Sequence, residues 1–342
     1  MTPAARAART PRASGRARSA RSSRPAARLD VVVVGAGVAG LSTALWLRDF
    51  GLDALLIEES SRPGGQVHEI HAAIPNYLAT FGWDGARLAG AALSDARAAG
   101  LTILVGARVT RVSTSGRWVE RAGDEAGGPV RVTARALVLA TGLRRRTLGV
   151  PGEAEFVGRG VSHSANRDRD RFAGRPVVIV GGGTAAVEDA LLCAEVGSDV
   201  TLLHRSARFR AREDFLERAR ANPRIHIVVN AAVTGIEGGD GVKAVVYRAR
   251  GTPSRKGAAE RIPCSGVFVR IGREPRTELV RKQIRCDRAG FIRAGAAGAT
   301  SAPWVFAAGD VCAPRCPSIA NAVGQGAAVA WEIARRLGRV RG

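Results

Sequence analysis

The sequence predicts an α/β fold built on two Rossmann-like dinucleotide-binding domains. Three observations carry that prediction. The string VVVVGAGVAGLSTALWL sets a β-branched run before Gly35, Gly37 and Gly40 and an Ala/Leu-rich run after them. The string VVIVGGGTAAVEDALL repeats the arrangement around Gly181, Gly183 and Ala186. The chain has 342 residues, 46% of them apolar, which is enough for two cores.

In the first unit, Val31–Val34 read as a buried parallel strand and Leu41–Asp49 as the helix that follows. One glycine allows the tight turn, one lets the backbone approach a pyrophosphate, and one lets helix pack on strand. The amides at the helix N-terminus then face the phosphates. Ala54–Ile57 form the next strand and lead into Glu58, 23 residues past Gly35, where a carboxylate can grip a ribose hydroxyl. In the second unit, Pro176–Val180 are the strand and Thr184–Ala194 the helix. The strand after it, Asp199–Leu203, leads not into an acid but into His204 and Arg205, with Arg208, Arg210 and Arg212 close behind. Arginine at that place accepts a 2′-phosphate, so the second site is expected to prefer NADPH over NADH. The plainer alternative is that these arginines belong to an arginine surplus spread over the whole chain.

Five cysteines without framework spacing argue against a disulfide-stapled secreted fold and for a reducing, cytoplasmic compartment. The formal net charge is +22, and eight of the positive charges are arginines of residues 1–28, which contain no acid. That tail lacks apolar periodicity and is expected to be disordered. A transit peptide, or an N-terminus extended by a wrong start, has similar composition. The basic residues are nearly all Arg, with only Lys243, Lys256 and Lys282, a bias that fits GC-rich coding as well as a nucleic-acid surface. No reader motif or aromatic-studded basic patch supports nucleic-acid binding. The tail and Val31–Leu47 together mimic a signal peptide, but the apolar run is glycine-rich and follows Asp30. Its cleavage would also remove the first nucleotide turn. No other stretch is long and apolar enough to span a bilayer, so no membrane partner is expected.

Taken in order, the motifs resemble the thioredoxin reductase-like branch of the pyridine nucleotide-disulfide oxidoreductases over about residues 29–338. GAGVAG is followed by RPGGQ with Gly65 and Gln66, IPNY with Asn76, and LVLATG with Thr141 and Gly142. Then come VPGE, GGGTAAVEDAL with Thr184, HRSARFRA, IGREPRT, and VFAAGD with Gly309 and Asp310. The resemblance implies that the first site binds FAD. It places Gly65, Gln66 and Asn76 near the flavin, Asp310 at its ribityl or phosphate portion, and Ser318, Ile319 and Ala320 against the isoalloxazine. HRSARFRA resembles the NADPH motif HRRxxxR, matching at His204, Arg205 and Arg210 and departing at Ser206. The implied architecture inserts an NADPH domain, residues 147–267, into an FAD domain formed by 29–146 and 268–342. Linkers near Leu148–Gly152 and Gly266–Gly272 would form a two-stranded hinge about which such domains rotate. A homodimer is implied as well.

Thioredoxin reductases carry a CxxC just before the NADPH strand. The matching stretch here is VSHSANRD, Val161–Asp168, with Ser164 and Arg167 at the cysteine positions. Neither a hydroxyl nor a guanidinium can perform thiolate exchange, so thioredoxin reduction through this site is excluded. Asp168 matches the family's acid, and a structural role for it is favoured once the dithiol is gone. Cys312 and Cys316 form a CxxxC after VFAAGD and are the remaining candidate dithiol, although two unrelated small residues are the plainer reading. His163 is a further candidate contact to flavin or substrate, though a lone histidine is more often structural. No cysteine has convincing metal-site spacing with histidine. The expected function is an FAD-dependent NADPH oxidoreductase. Hydride passes from NADPH to flavin and on to a ferredoxin- or flavodoxin-like carrier or a small molecule. The alternatives are a disulfide reductase using Cys312 and Cys316, and a non-catalytic redox sensor binding both cofactors.

Overall fold

The computed structural model describes residues 29–123, 127–249 and 259–341; the tail expected to be disordered, residues 1–28, lies outside them. The chain first lays down β1 (Leu29–Val34), α1 (Val38–Asp49), β2 (Ala54–Ile57), α2 (Gly85–Ala98), β3 (Thr102–Leu104), β4 (Val109–Ser113), β5 (Trp118–Arg121), β6 (Val130–Leu139) and β7 (Leu143–Arg145). Its middle supplies β8 (Val161–Ser162), α3 (Ala165–Asp168), β9 (Val177–Val180), α4 (Thr184–Glu195), β10 (Val200–Leu203), α5 (Glu213–Ala221), β11 (Ile225–Val228), β12 (Ala231–Gly238), β13 (Val242–Ala249), β14 (Ala259–Pro263) and β15 (Gly266–Val269). It closes with β16 (Arg273–Pro275), β17 (Val305–Ala307) and α6 (Ile319–Arg336).

Two Rossmann-like units result. The first sheet runs β3-β2-β1-β6-β5-β4, with β17 paired to β6. The long β6 does two jobs. Ala134–Leu139 lie parallel to β1, and Val130–Thr133 pair antiparallel with β5. Because β17 joins β6 in parallel through Val305–Ala307, the C-terminal segment completes the sheet that β1 began. Val31 and Val33 of β1 bury their side chains against Leu41 and Leu47 of α1 and against Val329 and Ile333 of α6. A fully buried Leu or Val of this kind is worth about 1.5–3 kcal/mol. The second sheet runs β11-β10-β9-β15-β8, all parallel, and α4 covers it through Val187, Ala190 and Leu191. A continuous apolar strand such as VVIV of β9 is what burial on both faces requires.

One boundary is corrected. Gly266–Gly272 is not a linker, because Gly266–Val269 is β15, buried throughout and paired with both β9 and β8. The expected division between residues 267 and 268 therefore cuts a core strand. A separate two-stranded antiparallel ribbon is formed by β7 and β16, Leu143–Arg145 against Arg273–Pro275. Flanking glycines give the run GVFV the look of a crossing, whereas its apolar side chains are what the second core needs.

Candidate functional site

At the carboxyl ends of β1, β2, β6 and β17 lies a cavity of about 1050 Å³. Ligands of open α/β sheets bind at that edge. All predicted first-site residues line it except Gly40 and Ala320. Gly40 instead lets α1 start hard against the turn: a Cβ there would stand 1.9 Å from the Gly35 carbonyl oxygen. A Cβ at Gly37 would meet nothing within 4 Å, so this position faces open space at the N-terminus of α1. Glu58 is held from two sides, its Oε2 accepting from the Ala36 amide at 2.7 Å and its Oε1 from the Ser60 amide at 2.9 Å. Asp310 accepts from Gln66 Nε2 at 3.0 Å, and Thr141 Oγ1 donates to the Arg276 carbonyl at 2.7 Å. Ser318 caps α6 by accepting from the Asn321 amide at 3.2 Å, which presents Ile319 to the cavity.

His68 is a cavity residue that no sequence motif marks. Its Nε2 is bonded to the Pro63 carbonyl at 2.8 Å, and its Nδ1 is buried without a partner. Since a carbonyl only accepts, Nε2 carries a proton. Among the described residues the only other such orphan is Asn321 Nδ2, in the first turn of α6. Buried polar atoms rarely stay unpaired unless something unseen satisfies them. A cavity with a glycine-lined helix start, a clamped carboxylate and an unpartnered ring nitrogen fits a dinucleotide. Only a motif rich in glycine announces itself in sequence; an orphaned ring nitrogen does not.

A second cavity, about 980 Å³, opens on Gly181–Gly183, Thr184, Arg205 and Arg210 at the carboxyl edge of the second sheet. Ala186 stands behind the turn, fully buried. Arg205 and Arg210 are exposed, and neither guanidinium is engaged in an ion pair among the described residues, whereas Arg212 is committed to Asp214 at 2.7 Å. His204 also lines the cavity, but its ring is buried against Gly182, lies 4.8 Å from the Phe209 ring, and bonds through Nε2 to the Arg208 carbonyl at 3.0 Å. Burial, and then Arg210 and Arg205 nearby, hold its pKa below the usual value, so it is neutral and props the arginine loop. Arg273 belongs to the walls of both cavities.

None of the four candidate catalytic residues lines either cavity. His163 is half-buried with Nδ1 3.4 Å from the Val269 carbonyl, and burial followed by the Arg145 and Arg167 charges lowers its pKa. Asp168 is buried and locked: Arg167 grips it with two bonds, at 3.1 and 2.8 Å, and Ser162 Oγ donates at 2.5 Å. Burial opposes its ionisation, but those hydrogen bonds outweigh it and hold the carboxyl below its ordinary range. Such a group cannot serve as a proton donor near neutral pH. Arg167, with help from Ser162, is what disables it. Burial and the Asp310 carboxylate push the Cys312 thiol up to about 12, far from a thiolate nucleophile, while Cys316 is exposed.

The Asp168 pair gives a stability prediction. Because the folded carboxyl titrates below the unfolded one, its contribution is present above the unfolded pKa and lost as pH falls through the folded pKa. Arg167→Leu should cost about 1–2 kcal/mol at pH 7, less than for a fully buried pair because Arg167 is half exposed. Urea unfolding at pH 7 and again near pH 2 checks this; an equal deficit at both would contradict it.

The model of the pyridine nucleotide-disulphide oxidoreductases matches residues 29–326 of this chain. The chain belongs to that family. This oxidoreductase is 34% identical over 318 residues to thioredoxin reductase of Mycolicibacterium smegmatis, covering 90% of this chain and 96% of the relative. It is 33% identical to an alkyl hydroperoxide reductase protein of Pseudomonas aeruginosa, matching 87% of this chain but only 56% of that protein. It superposes on thioredoxin reductase of Lactococcus lactis with a TM-score of 0.74 at 29% identity, covering 92% of this chain and 100% of the other. As a member of the family it is an FAD-dependent NAD(P)H oxidoreductase, with FAD and NADPH as its cofactors. Among the described residues no helix is long and apolar enough to cross a membrane, and no three His, Cys, Asp or Glu side chains converge as metal ligands would.

Proposed function

We propose that the first cavity holds FAD and the second NADPH, and that electrons leave the flavin for an acceptor without passing through a CxxC dithiol. The observation that carries this reading is the Arg167–Asp168 lock where the family motif would place the second cysteine and its acid. The chain contains no CxxC at any position. Bound in these places, FAD supplies hydride acceptance from NADPH and onward delivery of the electrons. The protein's part is placement. Glu58 is anchored to the glycine turn where a ribose would lie, Gln66 and Asp310 fix each other beside the flavin, and Arg205 and Arg210 stand exposed for a 2′-phosphate.

The units follow from this reading. An FAD unit takes its sheet from β1–β6 and β17, and an NADPH unit spans β8–β15, with the β7–β16 ribbon between them. A cytoplasmic setting and a homodimer complete it. A net charge of +22 favours an acidic carrier protein as acceptor, by steering it toward the flavin. The names of the relatives point to thioredoxin instead, but a route to a protein disulfide needs a thiolate. Here burial raises Cys193, Cys264 and Cys312 to about 12 each.

NADPH oxidation by the purified protein, offered ferredoxin, flavodoxin, quinones, oxygen and thioredoxin in turn, tests the proposal. Turnover is expected with a carrier or small molecule and not with thioredoxin. Replacing Cys312 and Cys316 together by Ser should leave every rate unchanged, and a disulfide-specific loss in that variant would restore the dithiol reading. Anaerobic stopped-flow separates enzyme from sensor, since a sensor would reduce its flavin far more slowly than turnover requires.

A further inference from the structure

The β7–β16 ribbon sets Arg145 directly opposite Arg273. Like charges facing each other across a strand pair repel. The adjacent pair shows the ordinary solution, with Arg144 Nε 2.8 Å from Glu274 Oε1. For Arg145 and Arg273 the counter-charge comes from outside the ribbon. Glu69 ends the short turn Gly65–Glu69 on the flavin side of the molecule, and its Oε2 accepts from Arg145 Nη2 at 2.8 Å and also from Arg273 Nη2.

The remaining donors of the two arginines reach in opposite directions. Arg273 Nη1 donates to Gln66 Oε1 at 2.8 Å, and Gln66 is itself bonded to Asp310. Arg145 Nη1 donates at 2.8 Å to the carbonyl of His163, in the segment that leaves β8 of the second sheet. Arg270 Nη1 donates to the same carbonyl at 2.8 Å, while its Nε is 3.1 Å from Asp189. A continuous line of polar contacts thus runs Asp310, Gln66, Arg273, Glu69, Arg145, His163, from the first cavity to the second sheet. Side-chain exposure along it is only 23% for Arg145, 29% for Arg273 and 34% for Glu69, so these charges interact more strongly than surface pairs. One carboxylate serves two guanidiniums, and Arg270 has its own acid.

We propose that Glu69 is a positioning residue: by neutralising the two opposed arginines of the ribbon, it fixes the flavin-side half of the molecule against the nicotinamide-side half. The inference rests on the assignment of the two cavities to FAD and NADPH. Without the Glu69 charge the arginines repel, Arg145 leaves the His163 carbonyl, and the halves lose their register.

Glu69→Gln, which keeps the shape and removes the charge, tests it in FAD-loaded protein. The limiting rate of flavin reduction by NADPH should fall at least about tenfold, with the half-saturating NADPH concentration nearly unchanged, as misplacement of reacting groups predicts. Hydrogen exchange of the amides in Ser162–Asp168 should quicken by about tenfold or more. Arg145→Met should give the same exchange pattern, and combining it with Glu69→Gln should add no further loss of rate. A wild-type limiting rate in Glu69→Gln, or a slower one with unchanged exchange at Ser162–Asp168, overturns the proposal. Should Glu69→Gln fail to fold, Arg145→Met decides by the same two readings. Should the wild-type protein take up no FAD, the cofactor assignment falls, while exchange in the protein as purified still decides whether Glu69 holds the halves together.

Discussion

Gly37→Val is expected to fold and to bind no FAD, whereas Gly40→Val is expected not to fold. Both residues belong to one glycine turn, so the contrast separates the turn's two functions. Gly37 has φ −70° and ψ 175°, a conformation open to any residue, and nothing stands within 4 Å of the place where its Cβ would lie. A valine there strains no backbone, and its Cβ meets no protein atom within 4 Å. It fills the space through which a pyrophosphate would approach the amides of α1. Loss of that approach should weaken FAD binding by at least about 100-fold, at 1.4 kcal/mol for each factor of ten. At Gly40 the Cβ would stand 1.9 Å from a carbonyl oxygen of the turn itself, so α1 would have to leave the sheet. The flavin-to-protein ratio from visible absorbance, with far-ultraviolet circular dichroism as a check on folding, reads both outcomes. A yellow Gly37→Val protein would remove the first cavity as the flavin site.

Arg205→Ala combined with Arg210→Ala should raise the KM for NADPH by about 100-fold and leave the KM for NADH nearly unchanged. A hydrogen bond to a charged group contributes about 1.5–3 kcal/mol, and exposure puts each of these arginines at the lower end. Two such losses give roughly two factors of ten. Arg212→Ala is the internal control, because Asp214 already holds that side chain. Steady-state kinetics with the two nicotinamides at constant salt measures the selectivity. Equal losses for NADPH and NADH would show that the arginines hold the loop and do not read the phosphate.

The features legible in the sequence are those whose partners are close along the chain. Both nucleotide turns are strand, glycine and helix in immediate succession, and the strand predicted at Pro176–Val180 runs from Val177 to Val180. Glu58 can be placed by spacing, because the strand ending beside it must lie next to the first one. Distant partners cannot be read. Glu69 meets arginines 76 and 204 residues away, and nothing in GQVHEI distinguishes its acid from a solvated one. His204 is a mixed case. It lines the second cavity, and its ring also supports the loop that carries Arg205 and Arg210.

The pairing of β17 with β6, and of α6 with α1, has a consequence for how the molecule is made. A Cβ at Gly326 of α6 would stand 2.6 Å from the Ala39 carbonyl, so the last helix lies directly upon the first one. The second sheet takes all its strands from residues 161–269 and can close as soon as they leave the ribosome. The first sheet, begun more than a hundred residues earlier, must wait for Val305–Ala307 and for α6 to cover its open face. Units generally fold in the order of synthesis; here the half that starts first finishes last. During translation its apolar face stays uncovered until α6 is made, and a chain cut short before α6 keeps the glycine signature but lacks Ile319 and Ala322 of the first cavity wall.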